Sequence, residues 1–226
     1  MVEAAASPLA RGRRWLLSVP TTISLCLLLC LVFAVEWYVW QRLGYAAFVE
    51  LFVATREPSV GWLLAPVSHL PTDLRHLGSS VAQLLLFGGL VERRLGRRQF
   101  LAVVVVSGFA TTGAQVASYV LLNVPGRGVG TLGASGIVLA MTAFVVVDSL
   151  RYRLSVGEWH GEATWVWVLL GGFIVGQAVF GVWSLVLGTA SVGVVGHVTG
   201  VVIGVGIGLV RPSESVRGAS EPVESP

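Results

Sequence analysis

Charge is what this sequence lacks most. Only 12% of its 226 residues are charged, while 54% are hydrophobic; an ordinary soluble domain carries about 25% charged residues. Mean hydropathy is +0.80. These values exclude a water-soluble globular protein, and a disordered chain, a collagen or a coiled coil as well. Lysine is absent: all 15 basic residues are arginine, the bias expected of a GC-rich prokaryotic genome. A net charge of +3 is too small to imply nucleic acid as a partner. Cysteine is nearly absent too. Cys26 and Cys30 cannot build a disulfide framework, and four residues apart in one apolar run they read as small lipid-facing residues. The chain has no H-E-x-x-H string, so no zinc protease is indicated, and no metal or other cofactor is expected. There is no tandem repeat either.

What the sequence has in quantity is uncharged runs: Trp15–Val35, Leu77–Val91, Gln99–Gly126, Gly128–Val147 and Ala163–Val210. The last would be roughly 72 Å long as one straight helix, against a hydrocarbon core about 30 Å thick. It therefore reads as two helices with a turn near Gly188–Gly193, and the count becomes six spans in an all-α membrane bundle. The first run is too long for a signal peptide. With the N-terminus inside, Arg11, Arg13, Arg14, Arg93, Arg94, Arg97, Arg98, Arg151, Arg153, Arg211 and Arg217 are cytoplasmic. Only Arg42, Arg56, Arg75 and Arg127 are left outside. That asymmetry obeys the positive-inside rule and puts both termini in the cytoplasm. The expected organisation is a cytoplasmic tail over 1–15, a six-helix domain over 16–211, and a disordered cytoplasmic tail over 212–226. Within the domain, residues 41–75 form an outer loop with an interfacial helix.

Ionisable residues inside a membrane are costly and usually functional. Glu36, among Trp37, Tyr38 and Trp40, reads as an interfacial residue reaching water. Asp148 reads as one half of a helix-end pair with Arg151. His76, Ser135 and His197 are different. Counting from the arginine that ends each helix, His76 is 17 residues from Arg93, Ser135 is 16 from Arg151 and His197 is 14 from Arg211. At 1.5 Å per residue these are depths of roughly 26, 24 and 21 Å. Three polar groups distant in sequence therefore share one layer near the outer surface, where a serine and a histidine can form a nucleophile–base pair. Gly196, Gly200, Gly204 and Gly208 recur every fourth residue and make one smooth helix face. Gly136, Ala140 and Ala143 offer a matching small-residue surface. If these faces meet, Ser135 and His197 become neighbours.

The run Gly133-Ala134-Ser135-Gly136, the run Gly196-His197-Val198-Thr199-Gly200 with Gly204, and the segment Phe87-Gly88-Gly89-Leu90-Val91-Glu92-Arg93-Arg94-Leu95-Gly96 together resemble the rhomboid intramembrane serine proteases. Val67-Ser68-His69 followed by His76 resembles the family's approach to its second span. The resemblance covers about His69 to Val210. It implies a six-helix rhomboid bundle in which Ser135 is the nucleophile and His197 the general base. His76 and the Ser135 backbone N–H would help form the oxyanion hole. Two positions depart from the family pattern. Ser80 stands where the family usually has Asn, so one oxyanion donor is shorter, and Leu139 stands where it often has Tyr stacked on the histidine. His69 and His160 read as loop histidines. The Gly188–Gly193 turn with Trp165, Trp167 and Trp183 reads as a gate admitting water.

The expected function is thus an intramembrane serine endopeptidase of the cell membrane. It would cleave single-pass or other transmembrane protein substrates near their outer end, with the lipid bilayer as its other partner. The first rival is a non-catalytic rhomboid-like protein that binds membrane helices. The second, a small transporter, should show repeated halves and broken helices at mid-membrane, and neither pattern is present.

Overall fold

The computed structural model describes residues 8–122, 130–156, 170–172, 175–176, 179, 183, 186 and 193–211. In chain order the described helices are α1 (Pro8–Leu17), α2 (Pro20–Phe52), α3 (Gly61–Leu64), α4 (Leu74–Leu95), α5 (Arg97–Leu121), α6 (Ser135–Val156) and α7 (Val194–Val210). A 3-10 turn, Ala65–Val67, follows α3. Three of these helices, α2, α4 and α5, are long and apolar enough to cross a membrane, and α7 is a shorter apolar helix. His160, Trp165, Trp167, both expected tails beyond residues 8 and 211, and the expected turn up to Gly193 lie outside the described residues. Trp183 is helical and exposed.

The 33 residues of α2 would span roughly 50 Å if straight. The helix is broken instead at Gly44, where φ is +84°, and the outer segment continues to Phe52. Its start is held from a distance. The first turn of any helix has N–H groups without intrahelical partners, and here Glu92 of α4 supplies the acceptor. Glu92 Oε1 accepts from Thr21 N–H (3.0 Å), and Oε2 accepts from Thr22 N–H (2.7 Å) and the Thr22 hydroxyl (2.8 Å). A carboxylate at a helix N-terminus also meets the positive end of its dipole. A single side chain therefore ties α2 to α4. Close by, the Trp15 ring of α1 lies over Gly89. Helix α4 carries a π-helical stretch, Leu84–Gly88.

Helix α6 is central. Every residue from Gly136 to Val146 is buried, as expected of a helix apolar on all sides. Ile137, Val138, Met141, Phe144 and Val145 pack into one cluster with Cys26 and Leu29 of α2, Leu77, Leu84, Phe87 and Val91 of α4, and Phe100, Val103 and Val104 of α5. Cys26 corrects the reading of both cysteines as lipid-facing. Cys30 is exposed, but Cys26 is buried in this cluster: the two lie one above the other on nearly the same side of α2, and α4 covers that side at Cys26, whose Sγ is 3.9 Å from the Val81 carbonyl. Both thiols are free.

The α6–α7 contact is backbone to backbone. A Cβ added at Gly200 would strike the Gly136 carbonyl, and one at Gly204 would strike the Ala140 carbonyl and come within 2.8 Å of Ala143 Cβ. One at Gly208 would lie 2.9 Å from Val147 Cβ. The glycine stripe therefore faces α6 over three of its four members. A Cβ at Gly196, the fourth, would lie 3.1 Å from the Thr111 carbonyl oxygen of α5.

At the arginine-rich end the helices are clasped by charge. Arg94 Nη1 donates to Asp148 Oδ2 (2.9 Å) and Arg94 Nη2 to the Ser149 hydroxyl (3.1 Å), while Arg211 Nη1 lies 3.7 Å from Asp148. Asp148 is thus paired across helices and not with Arg151. Arg151 caps the carbonyls that end α7, donating to Gly208 (2.6 Å) and Arg211 (2.7 Å).

The glycine contact gives a direct test. Gly200→Val forces α6 and α7 apart and should cost about 3 kcal/mol, the upper end of overpacking penalties. Gly206→Ala places its methyl in open space and should cost nothing. Thermal midpoints in one detergent decide: equal midpoints for Gly200→Val and the parent contradict the contact.

Candidate active site

Two loops with positive-φ glycines deliver the site. Gly133 (φ +125°) turns the chain two residues before Ser135, the first residue of α6. Gly193 (φ +95°) is the N-cap of α7, four residues before His197. Side chains other than glycine rarely adopt such angles. A Cβ there would touch the site only at ordinary contact distance, 3.7 Å from Ser135 Oγ at Gly133 and 3.6 Å from His197 Nε2 at Gly193, so the positive φ is what calls for glycine.

The strand-like segment after α2 fixes the first of these loops. Ala54–Thr55 (β1) pairs antiparallel with Gly130–Thr131 (β2), Ala54 opposite Thr131 and Thr55 opposite Gly130. The Gly133 N–H donates to the Ala65 carbonyl (2.8 Å). The outer loop is thus stitched twice to the approach to Ser135. On the other side, Gln115 of α5 steadies α7: its Oε1 accepts from the Gly196 N–H (2.9 Å), one of the first-turn donors left without an intrahelical partner. Gln115 is buried, and its Nε2 lies 3.3 Å from the Ser118 hydroxyl. Sequence reading passed over Gln115, although an amide inside an uncharged run of this length is itself a signal.

With both helices placed, His197 Nε2 stands 2.8 Å from Ser135 Oγ. Both side chains are half-buried. Ser135 opens its helix, so its hydroxyl lies among unpaired N–H groups at the positive end of a dipole. Asp73 caps α4, accepting from the His76 N–H (3.0 Å), and so sets His76 in the first turn of that helix. The His76 imidazole is within electrostatic reach of His197. Ser80 is buried one turn further along α4, with Oγ 3.2 Å from His69 Nε2. Leu139 packs with Ala143, Val146 and Val201.

Two residues need correction here. His69 is in a loop, as read, but it is fully buried, its ring perpendicular to His76 with centroids 5.4 Å apart. Glu36 is fully buried as well and does not reach water. Its two carboxylate oxygens accept from the His69 backbone N–H at 3.0 and 3.1 Å. The loop before α4 packs at His69 against the middle of α2, where Glu36 meets its backbone.

The Rhomboid domain family matches residues 58–213, which takes in every residue of this arrangement except Glu36 and strand β1 (Ala54–Thr55). The chain belongs to the rhomboid family. No curated protein matches it. Among the described residues no group of three or more His, Cys, Asp or Glu side chains is placed to hold a metal ion. The chain is therefore a rhomboid membrane protein with a serine–histidine hydrogen bond at the mouth of its two closest helices.

The Gln115 cap is open to test. Gln115→Leu leaves the buried Gly196 N–H without an acceptor, which should cost about 1–3 kcal/mol. The expected result is a lower thermal midpoint in detergent; an unchanged midpoint would show that α7 does not depend on this cap.

Proposed function

We propose that this rhomboid protein is an intramembrane serine endopeptidase with six spans and both termini on the arginine-rich, cytoplasmic side of a cell membrane. Its substrates are transmembrane segments of other membrane proteins, cut near their outer ends. The observation that carries the reading is the 2.8 Å contact between Ser135 Oγ and His197 Nε2, at the start of a helix whose free N–H groups suit a developing anion. A transmembrane helix hides its carbonyls in its own hydrogen bonds, so the segment must unwind locally before it can react.

The chemistry then follows from the pair. His197 Nε2 takes the Ser135 hydroxyl proton as Oγ bonds to the scissile carbonyl carbon. The carbonyl π electrons move onto oxygen, and the resulting oxyanion receives hydrogen bonds from the Ser135 N–H, His76 and Ser80. Collapse breaks the C–N bond, and the His197 imidazolium gives its proton to the leaving amine. Water then attacks the acyl-serine, His197 again taking a proton. Breaking the ester C–O bond returns a proton to Ser135 and releases a carboxylate product.

A second reading, a rhomboid-like protein that binds membrane helices without cutting them, draws on Ser80 and Leu139. Ser80 is engaged with His69, and Leu139 gives no aromatic support to the histidine. The intact Ser135–His197 contact favours the protease.

Cleavage of a model transmembrane substrate by purified protein separates the two. Ser135→Ala and His197→Ala should each abolish cleavage while leaving the thermal midpoint in place, and the double variant should be no worse than either. Ser80→Ala should lower the rate about tenfold, or about 1.4 kcal/mol. Full activity in either dyad variant would sink the protease assignment.

A further inference from the structure

One side chain touches both α4 residues to which the proposed mechanism gives the oxyanion, His76 and Ser80. His69 is fully buried, its ring edge-on to His76 at 5.4 Å, and its Nε2 lies 3.2 Å from Ser80 Oγ. Its backbone is fixed by Glu36, a fully buried carboxylate of α2 that accepts the His69 N–H with both oxygens. A buried carboxylate in an apolar span is expensive, so it is kept where it holds something. What it holds is a loop residue that no local secondary structure would otherwise fix. We propose that His69, anchored by Glu36, is a positioning residue that aims the Ser80 hydroxyl as a donor toward the oxyanion. The proposal rests on the protease reading above.

The direction of the His69–Ser80 hydrogen bond matters. A serine hydroxyl has one proton to donate and two lone pairs. If Nε2 carries the His69 proton, Nε2–H donates to Ser80 Oγ and the Ser80 proton stays available to a substrate oxyanion. If Nδ1 carries it, Ser80 must donate to Nε2 and has nothing left to give. Burial, with His76 beside it, pushes the His69 imidazole down to about 4, so at neutral pH the ring holds one N–H. Nδ1 makes no hydrogen bond, although the Val67 carbonyl is close enough to the ring to favour the protonated form. One ring nitrogen is left unpaired in either tautomer, and an unpaired buried N–H is tolerated less often than an unpaired acceptor. A proton on Nε2 meets Ser80. The same geometry accounts for a serine where the family usually has the longer Asn: a short side chain serves as a donor if a neighbour holds its oxygen.

The test has two arms. Nitrogen-15 NMR of the histidine-labelled parent protein should show His69 as the Nε2–H tautomer at pH 7, shifted by Ser80→Ala. The Nδ1–H tautomer would overturn the proposal, with no substrate involved. In the cleavage assay, His69→Leu should lower kcat about tenfold with KM unchanged, and His69→Gln, whose amide still donates to Ser80, should recover most of the loss. In a Ser80→Ala background, His69→Leu should cost less than twofold, because its only route to the reaction is gone. An equal loss in both backgrounds, or a loss confined to KM, would overturn it. If the parent protein cleaves nothing, the protease reading fails by itself, and the tautomer still decides whether His69 donates to Ser80.

Discussion

Close backbone approach between α6 and α7 is the constraint on which the site depends. Water supplies no hydrophobic drive between helices inside a bilayer, so association relies on packing and hydrogen bonds. Gly200 against the Gly136 carbonyl and Gly204 against the Ala140 carbonyl give that packing with no room for a side chain between the two backbones. Ser135 opens one of the two helices and His197 lies one turn into the other. Their hydrogen bond is a consequence of register: with Gly200 seated on Gly136, the side chains one turn or less toward the outer end have nowhere else to meet. The residues flanking the pair then refine its position. Two left-handed glycines aim the helix starts, and Gln115 of α5 holds the first turn of α7 by the Gly196 N–H.

The remaining polar side chains act as ties between elements that glycine packing does not reach. In a water-free interior every buried polar group needs a partner from the protein, and four such groups here reach across the fold. Glu92 caps α2 from α4, Glu36 of α2 holds the outer loop at His69, Gln115 caps α7 from α5, and Asp148 joins α6 to Arg94 and Arg211. Each is a carboxylate or amide meeting a donor on another element. Together they link the helices around a central α6 that is itself almost wholly apolar, and they leave the outer mouth of the site to the loop between α2 and α4.

Much of this was legible in the sequence because it is periodic or follows a motif. The glycine spacing of four, the small residues of α6, and the equal depths of Ser135 and His197 required only a helical rise and a membrane thickness. The family resemblance rested on the same residues and on the segment around Glu92. What was not legible depends on where a chain returns after a loop. Glu36 read as interfacial because aromatic residues surround it in sequence, yet the loop before α4 packs against it at His69. Asp148 read as paired with Arg151 because they are three residues apart, but Arg94 and Arg211 come from helices distant in sequence. Cys26 and Cys30 looked alike because they share nearly one side of α2, and sequence does not say that α4 covers that side at Cys26 and leaves Cys30 exposed. His69 passed as a loop histidine because neither its buried location nor its contact with Ser80 has a local signature.

The central claim is that the Ser135–His197 contact is an activated nucleophile and not a structural hydrogen bond. Phosphonylation of the folded, purified protein with a fluorophosphonate, with the adduct located by mass spectrometry, tests it without knowledge of any substrate. The account predicts a stoichiometric adduct on Ser135 alone, lost in His197→Ala while that variant keeps its fold. Labelling that is absent from Ser135, or that persists there without His197, would contradict it.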